Sequence, residues 1–386
     1  MFLFERLFGV GLYALALVAA CFFIATNNHK RGTVLFGYLV VLAAMAYFYV
    51  PYETADLYRI YGFLNTFRRF DFSMIWEERV INSPTGLANL YYWLISKTGV
   101  NNLLPAITTF ICYGSIFYLI DRTAKINNAS GKNVAISLMF CMSVGNYMFV
   151  VAGIRCMIGV SLLAFCFFRE TCEKKRFIWH IPLYVISLFF HVFSFILFLL
   201  RLLVPLLISR KNSLYKITYV IVVATALTAA YLVFDLSDYV ASVFEKAEEY
   251  VTGNMYSYFW EYVIGTMVGI VSLFFVVISK HSIRQSNLDL NDFYVYVKLL
   301  LVVAVCFCFE FTIFHRILTY ICPIIITPIL MTKLQQIDEK KKQNTAKVQI
   351  RVVNSNIGKN MLLFSLLILA VSCSRGSLSS LKFFVL

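Results

Sequence analysis

Polar residues in this chain do not recur at the period of a water-facing helix. They gather in short clusters between apolar runs of about 20 residues, the length a helix needs to cross a bilayer. Such runs cover Leu7–Ala25, Thr33–Val50, Asn102–Ile120, Val134–Val151, Ala152–Phe168, Ile217–Phe234, Tyr262–Ser279, Tyr294–Phe311, Thr312–Met331 and Met361–Cys373. Two further crossings must fit between Phe177 and Ile208. At 1.5 Å per residue, arms of about 15 residues reach about 23 Å, short of a hydrocarbon core of about 30 Å. The spacing therefore predicts a shallow hairpin with its tip near His191–Ser194; one long tilted helix is the alternative. Gly86–Thr98 is aromatic but too short to span, and reads as a re-entrant or interfacial helix. The pattern predicts an all-α, polytopic helical membrane protein with about 12 spans. The whole chain, residues 1–386, forms one integral membrane domain in this reading.

Composition agrees. Sixty per cent of residues are hydrophobic, 14% are charged and mean hydropathy is +0.77, so a soluble core of this size would lack polar cover. The net charge of +14 would suggest nucleic acid in a soluble chain. Here positive-inside sorting and anionic lipid account for it, and no nucleic-acid partner is expected. If the loop after the first run is cytoplasmic and sides alternate, the inner loops hold more than twice the Lys and Arg of the outer segments. That asymmetry sets the orientation. Residues 51–101 and the acidic loop 235–261 then lie outside, and the basic loop 333–360 inside. The first run could pass for a signal peptide, but no polar domain follows it, so it is read as a retained helix. Most of the ten cysteines fall in apolar runs and read as small buried hydrophobes.

In this topology Arg155, His191, Glu310, His315, Arg316 and the 51–101 segment share the outer face. Only Arg201 and Lys298 sit toward the inner half, where long side chains can snorkel to the interface. A charge within hydrocarbon costs at least about 2.5–3.5 kcal/mol, so such residues usually serve a cavity or a partner. Arginine suits bidentate contact with phosphate oxygens, and Arg59, Arg155 and Arg316 could hold a diphosphate at headgroup level. His191 can take or give a proton near neutrality, with Asp56 or Glu310 beside it. Lipid diphosphate plus a general base fits transfer of a group from a polyprenyl diphosphate to a hydroxyl, with Arg155 and Arg316 expected on the diphosphate and His191 expected to deprotonate the acceptor hydroxyl. Plainer readings stand next to these. Arg155 could anchor a helix end, His191 could be a core histidine, Asp56 could cap a helix over Leu57–Phe67, and Tyr91, Tyr92 and Trp93 could belong to an aromatic belt.

Four stretches carry a resemblance. Pro51-Tyr-Glu-Thr-Ala-Asp56-Leu-Tyr58-Arg59, Gly86–Ser96, Gly153-Ile-Arg155 and Phe190-His191-Val-Phe-Ser194 resemble the EpsG/Wzy-type exopolysaccharide polymerases in order and spacing, over roughly residues 1–335. The resemblance implies a repeat-unit polymerase of the bacterial cytoplasmic membrane. It would move a growing glycan from undecaprenyl diphosphate onto a lipid-linked repeat unit at the extracytoplasmic face. It further implies catalytic roles for His191, Arg155 and Asp56, and substrate contacts at Tyr58, Arg59, Glu310, His315 and Arg316. A flippase and a chain-length regulator of the same pathway are the partners it suggests.

Other chemistries leave no trace. No Walker loop, G-x-G-x-x-G or H-E-x-x-H is present. The five histidines share no metal-ligand spacing, and the first outer loop lacks a D-x-D, so a metal-independent reaction without cofactor is expected. A flippase or exporter of lipid-linked oligosaccharide, or another membrane glycosyl or O-acyl transferase, are the competing readings.

Overall fold

The computed structural model describes residues 2–53, 55–145, 147–208, 213–233, 237, 241, 259–284, 288–308, 311–344 and 356–374. Among these every element is helical: α1 (Phe2–Thr26), α2 (Arg31–Tyr47), α3 (Asp56–Phe67), α4 (Phe72–Ile75), α5 (Gly86–Ser96), α6 (Leu103–Ile126), α7 (Gly131–Val144), α8 (Tyr147–Ala152), α9 (Ile154–Thr171), α10 (Ile181–Phe190), α11 (Val192–Ile208), α12 (Ser213–Val233), α13 (Phe259–Arg284), α14 (Asn291–Cys306), α15 (Phe311–Arg316), α16 (Cys322–Asn344) and α17 (Ile357–Ser374). Wide π-type turns cover Trp76–Ile81 and Ile317–Ile321. Among the described residues six helical stretches are long and apolar enough to cross a membrane, and four shorter apolar helices accompany them. The chain is thus an all-helical membrane protein.

Helix α7 and the stretch Ile313–Glu339 are buried along nearly their whole length and form the centre. Around them α1 lies on α7, α2 on α6, α6 on α9, and α13 on α16. Apolar side chains that face outward, such as Leu15, Phe22, Val222, Ile270, Val277 and Leu363, would be costly in water and suit lipid. Most cysteines are buried as expected, but Cys306 is exposed on that outer surface.

The loop residues sort to two ends. At one, Arg31 pairs with Asp121 (3.0 Å), Arg122 with Glu173 (2.5 Å), and Lys174 with Asp289. Asn133 there donates to Asp338 (2.9 Å). These contacts tie together the loops assigned to the cytoplasm. At the other end α3, α4 and α5 form a small platform. Asp71 caps α4 through Met74 N–H (2.8 Å), which with the Ser73 hydroxyl holds its carboxyl below the usual range. Trp93 Nε1 donates to Phe70 O (3.0 Å), and Arg68 donates to Gly99 O (2.7 Å).

The region between 177 and 208 is two helices rather than one. His191 is extended (φ −158°, ψ 132°) and separates α10 from α11. Tyr184 and Phe198, each seven residues from it, meet with ring centroids 5.2 Å apart, so the helices fold back on each other. At the open end Arg201 donates to Glu170 (2.5 Å) and lies 5.0 Å over the Phe177 ring. The expectation that Arg201 snorkels is therefore corrected: a buried carboxylate holds it, because pairing costs less than leaving either charge alone. Lys298 lies 4.4 Å over Tyr294.

Gly159 sets the closest approach in this hairpin. A Cβ there would stand 2.2 Å from Ser194 Oγ and 3.0 Å from Ser187 O. In turn Ser187 Oγ donates to Gly159 O (2.7 Å).

Two outcomes follow for stability. Gly159→Ala should destabilise by about 1–3 kcal/mol through overpacking, and Ser194→Ala in the same chain should restore most of it; thermal melts in detergent read both. Arg201→Met alone should cost about 3–5 kcal/mol, whereas Arg201→Met with Glu170→Met should melt close to the parent.

Candidate functional site at the platform end

Three helix ends converge beneath the platform. The first is the start of α9. Gly153 (φ −89°, ψ 42°) breaks the chain after α8, and its N–H bonds back to Phe149 O (2.7 Å). Arg155 follows in the first turn of α9, exposed, with no acidic residue in that turn. A helix start already carries partial positive charge, so a guanidinium there disfavours neighbouring cations and favours an anion.

The second end is the α10–α11 break. Gly159 lies one turn along α9 from Arg155, and its contacts at Ser187 and Ser194 bracket His191. Phe193 N–H donates to His191 Nδ1 at 3.0 Å, so the imidazole caps the first turn of α11. The third is the end of α15, where Arg316 lies 5.9 Å over the Phe193 ring. The electrostatic fields of both Arg155 and Arg316 reach the His191 ring, and both also reach Cys156. These three residues, far apart in sequence, come together in one region at this end of the bundle.

The platform supplies its rim. Tyr92 of α5 is buried within reach of the charges of Arg155 and Asp56, and Tyr91 packs 5.8 Å from Phe190 just before the break. Asp56 and Arg59 are exposed and paired with each other, and Tyr58 is exposed beside them. Asp56 does not cap α3 as anticipated. It is the first residue of α3, Ala55 holds the cap position, and the carboxylate is turned to Arg59 instead. The aromatic-belt reading of Tyr92 and Trp93 is also revised, since Tyr92 is buried and Trp93 is bonded into the platform.

His315 is packed against aromatic rings. Its ring is buried, 5.0 Å from Phe149 and 5.7 Å from Tyr320, in the packing behind Arg316. Glu310 lies outside the described residues. Among the described residues no cluster of His, Cys, Asp and Glu has metal-binding geometry. The close packing at Gly159 and the amide of Phe193 escaped the sequence reading, and nothing local in the sequence pointed to either.

The arrangement can bind a multiply charged anion between two guanidinium groups, with an imidazole edge beside it. The EpsG family model matches residues 86–354. The match includes Arg155, His191 and Arg316 and leaves out Pro51–Arg59, which the sequence resemblance had included. No curated protein and no solved structure matches.

Inorganic pyrophosphate should raise the melting temperature of the purified protein, by an amount equivalent to about 2.7 kcal/mol at a hundredfold excess over Kd. Arg155→Ala and Arg316→Ala should each abolish most of that gain; a thermal-shift titration checks it.

Proposed function

The chain belongs to the EpsG family, and on that premise we propose that it is a polysaccharide repeat-unit polymerase of the bacterial cytoplasmic membrane, working at the extracytoplasmic face. Family membership carries the coarse statement, a membrane polysaccharide polymerase of glycosyltransferase-like character. The finer reading takes the meeting of Arg155, His191 and Arg316 as the lining of one substrate hollow. Its donor substrate is a glycan on undecaprenyl diphosphate, its acceptor a hydroxyl on the sugar of a second lipid-linked repeat unit.

The observation that carries this reading is the meeting of two guanidinium charges at one imidazole, at the end of the bundle that the loop charges assign to the outside. A lipid diphosphate brings its negative charge to headgroup depth, where Arg155 and Arg316 can each hold phosphoryl oxygens. Their charge stabilises the diphosphate as it leaves, which is where negative charge develops in the transfer. His191 faces the same hollow from the hairpin tip, and Asp56 with Arg59 and Tyr58 lines the approach from the platform. Gly159 keeps Arg155 and the imidazole in register by holding α9 against the hairpin. No metal is assigned a role. The flippase and the chain-length regulator of the same pathway are the protein partners this reading implies.

In a strain lacking the gene, His191→Ala and Arg155→Lys should leave single lipid-linked repeat units accumulating while the protein stays in the membrane. Loss of one preorganised contact at a developing charge typically costs about 10²–10³ in rate. Normal polymer lengths from both variants, read on a gel of surface polysaccharide, would refute the assignment.

A further inference from the structure

We propose that His191 acts as a fixed, uncharged hydrogen-bond donor to the departing diphosphate, and that the acceptor hydroxyl gives its proton to Asp56. This rests on the polymerase reading above and assigns its proton chemistry.

The backbone amide of Phe193 donates to His191 Nδ1 at 3.0 Å. An amide N–H needs a lone pair to receive it, so Nδ1 carries no proton and the neutral ring holds its hydrogen on Nε2. A general base must offer a lone pair toward the hydroxyl. The nitrogen that could face substrate is instead already protonated. Protonating Nδ1 as well would set N–H against N–H and leave the Phe193 amide, in the first turn of α11, without its acceptor. Among the described residues, the charged groups whose fields reach the ring from neighbouring elements are Arg155 on α9 and Arg316 on α15. An imidazolium would be a third cation among them. A neutral Nε2–H adds a donor for phosphoryl oxygens without adding charge.

The proton then needs another acceptor. Asp56 stands at the rim, exposed and paired with Arg59, and its field meets that of Arg155 at Tyr92. The transfer balances as follows. The acceptor oxygen bonds to the anomeric carbon while the bond from that carbon to the phosphate oxygen breaks, its electron pair staying on the diphosphate. The hydroxyl proton passes to the Asp56 carboxylate and on to water. His191 keeps its proton throughout.

Full-length protein with ¹⁵N-labelled histidine, in lipid nanodiscs, gives a test that needs no turnover. The His191 signals are identified by their loss in His191→Gln. They should report the Nε2–H form without titrating between about pH 5 and 8. An Nδ1–H form, or a titration in that window, overturns the proposal. The complemented deletion strain gives a second test. Glutamine can place an amide N–H near the Nε2 position but cannot act as a base, so His191→Gln should polymerise at least about tenfold better than His191→Ala. Asp56→Asn should stall at single repeat units and Asp56→Glu should recover in part. Gln as inactive as Ala, with both proteins present in the membrane, overturns the donor role while leaving the polymerase intact. Full activity of Asp56→Asn overturns the Asp56 role. If deletion of the gene leaves polymer length unchanged, the polymerase reading falls and takes this proposal with it.

Discussion

The close approach of α9 to the hairpin governs the rest of the structure. At Gly159 the space for a side chain is already filled by Ser194 Oγ and the Ser187 carbonyl. Without a hydrophobic drive between helices in lipid, small residues and hydrogen bonds decide where helices touch. Ser187 Oγ on Gly159 O supplies the bond, and the missing Cβ supplies the nearness. Arg155 is one helical turn from this contact, so its guanidinium is carried to the hairpin tip by packing, not by any attraction to an imidazole.

The hairpin is held at both ends by different physics. At the open end a buried carboxylate, Glu170, holds Arg201, which also stacks on Phe177. At the tip one extended residue turns the chain and caps the helix that follows. A side chain used as a cap has its orientation settled before any substrate arrives. The same geometry that ends α10 therefore selects which nitrogen of the ring meets the hollow.

Much of the fold was readable in the chain. Most apolar runs located the helices to within a few residues, because hydrocarbon leaves a backbone no other way to satisfy its hydrogen bonds. Two differ: the Val134–Val151 run is broken at Gly145, and the helix expected to end at Met331 continues to Asn344, into the stretch read as the basic loop 333–360. The length argument between Phe177 and Ile208 found the hairpin and its tip. Arg155, His191 and Arg316 stood out in the sequence as ionisable groups in apolar surroundings, and the structure brings them to one end of the bundle. What stayed hidden was contact made across the fold: the burial of Tyr92, the pairing of Arg201 with Glu170, and the Phe193 amide on the imidazole. The plainer reading of Asp56 as a cap fails because an acidic residue at a helix start looks the same whether it bonds the backbone or a neighbouring arginine.

The wide turn at Ile317–Ile321 lies between Arg316 and the buried helix α16. Such a turn holds more residues than the ordinary helix, and each residue rotates what precedes it by about 100°. It acts as a spacer in angle that sets the aim of the guanidinium relative to the facing of α16. Every residue of the stretch is buried, so shortening it by one would swing Arg316 away from Phe193 and unsettle the core at once: the aim of this charge and the packing of the bundle are tied together.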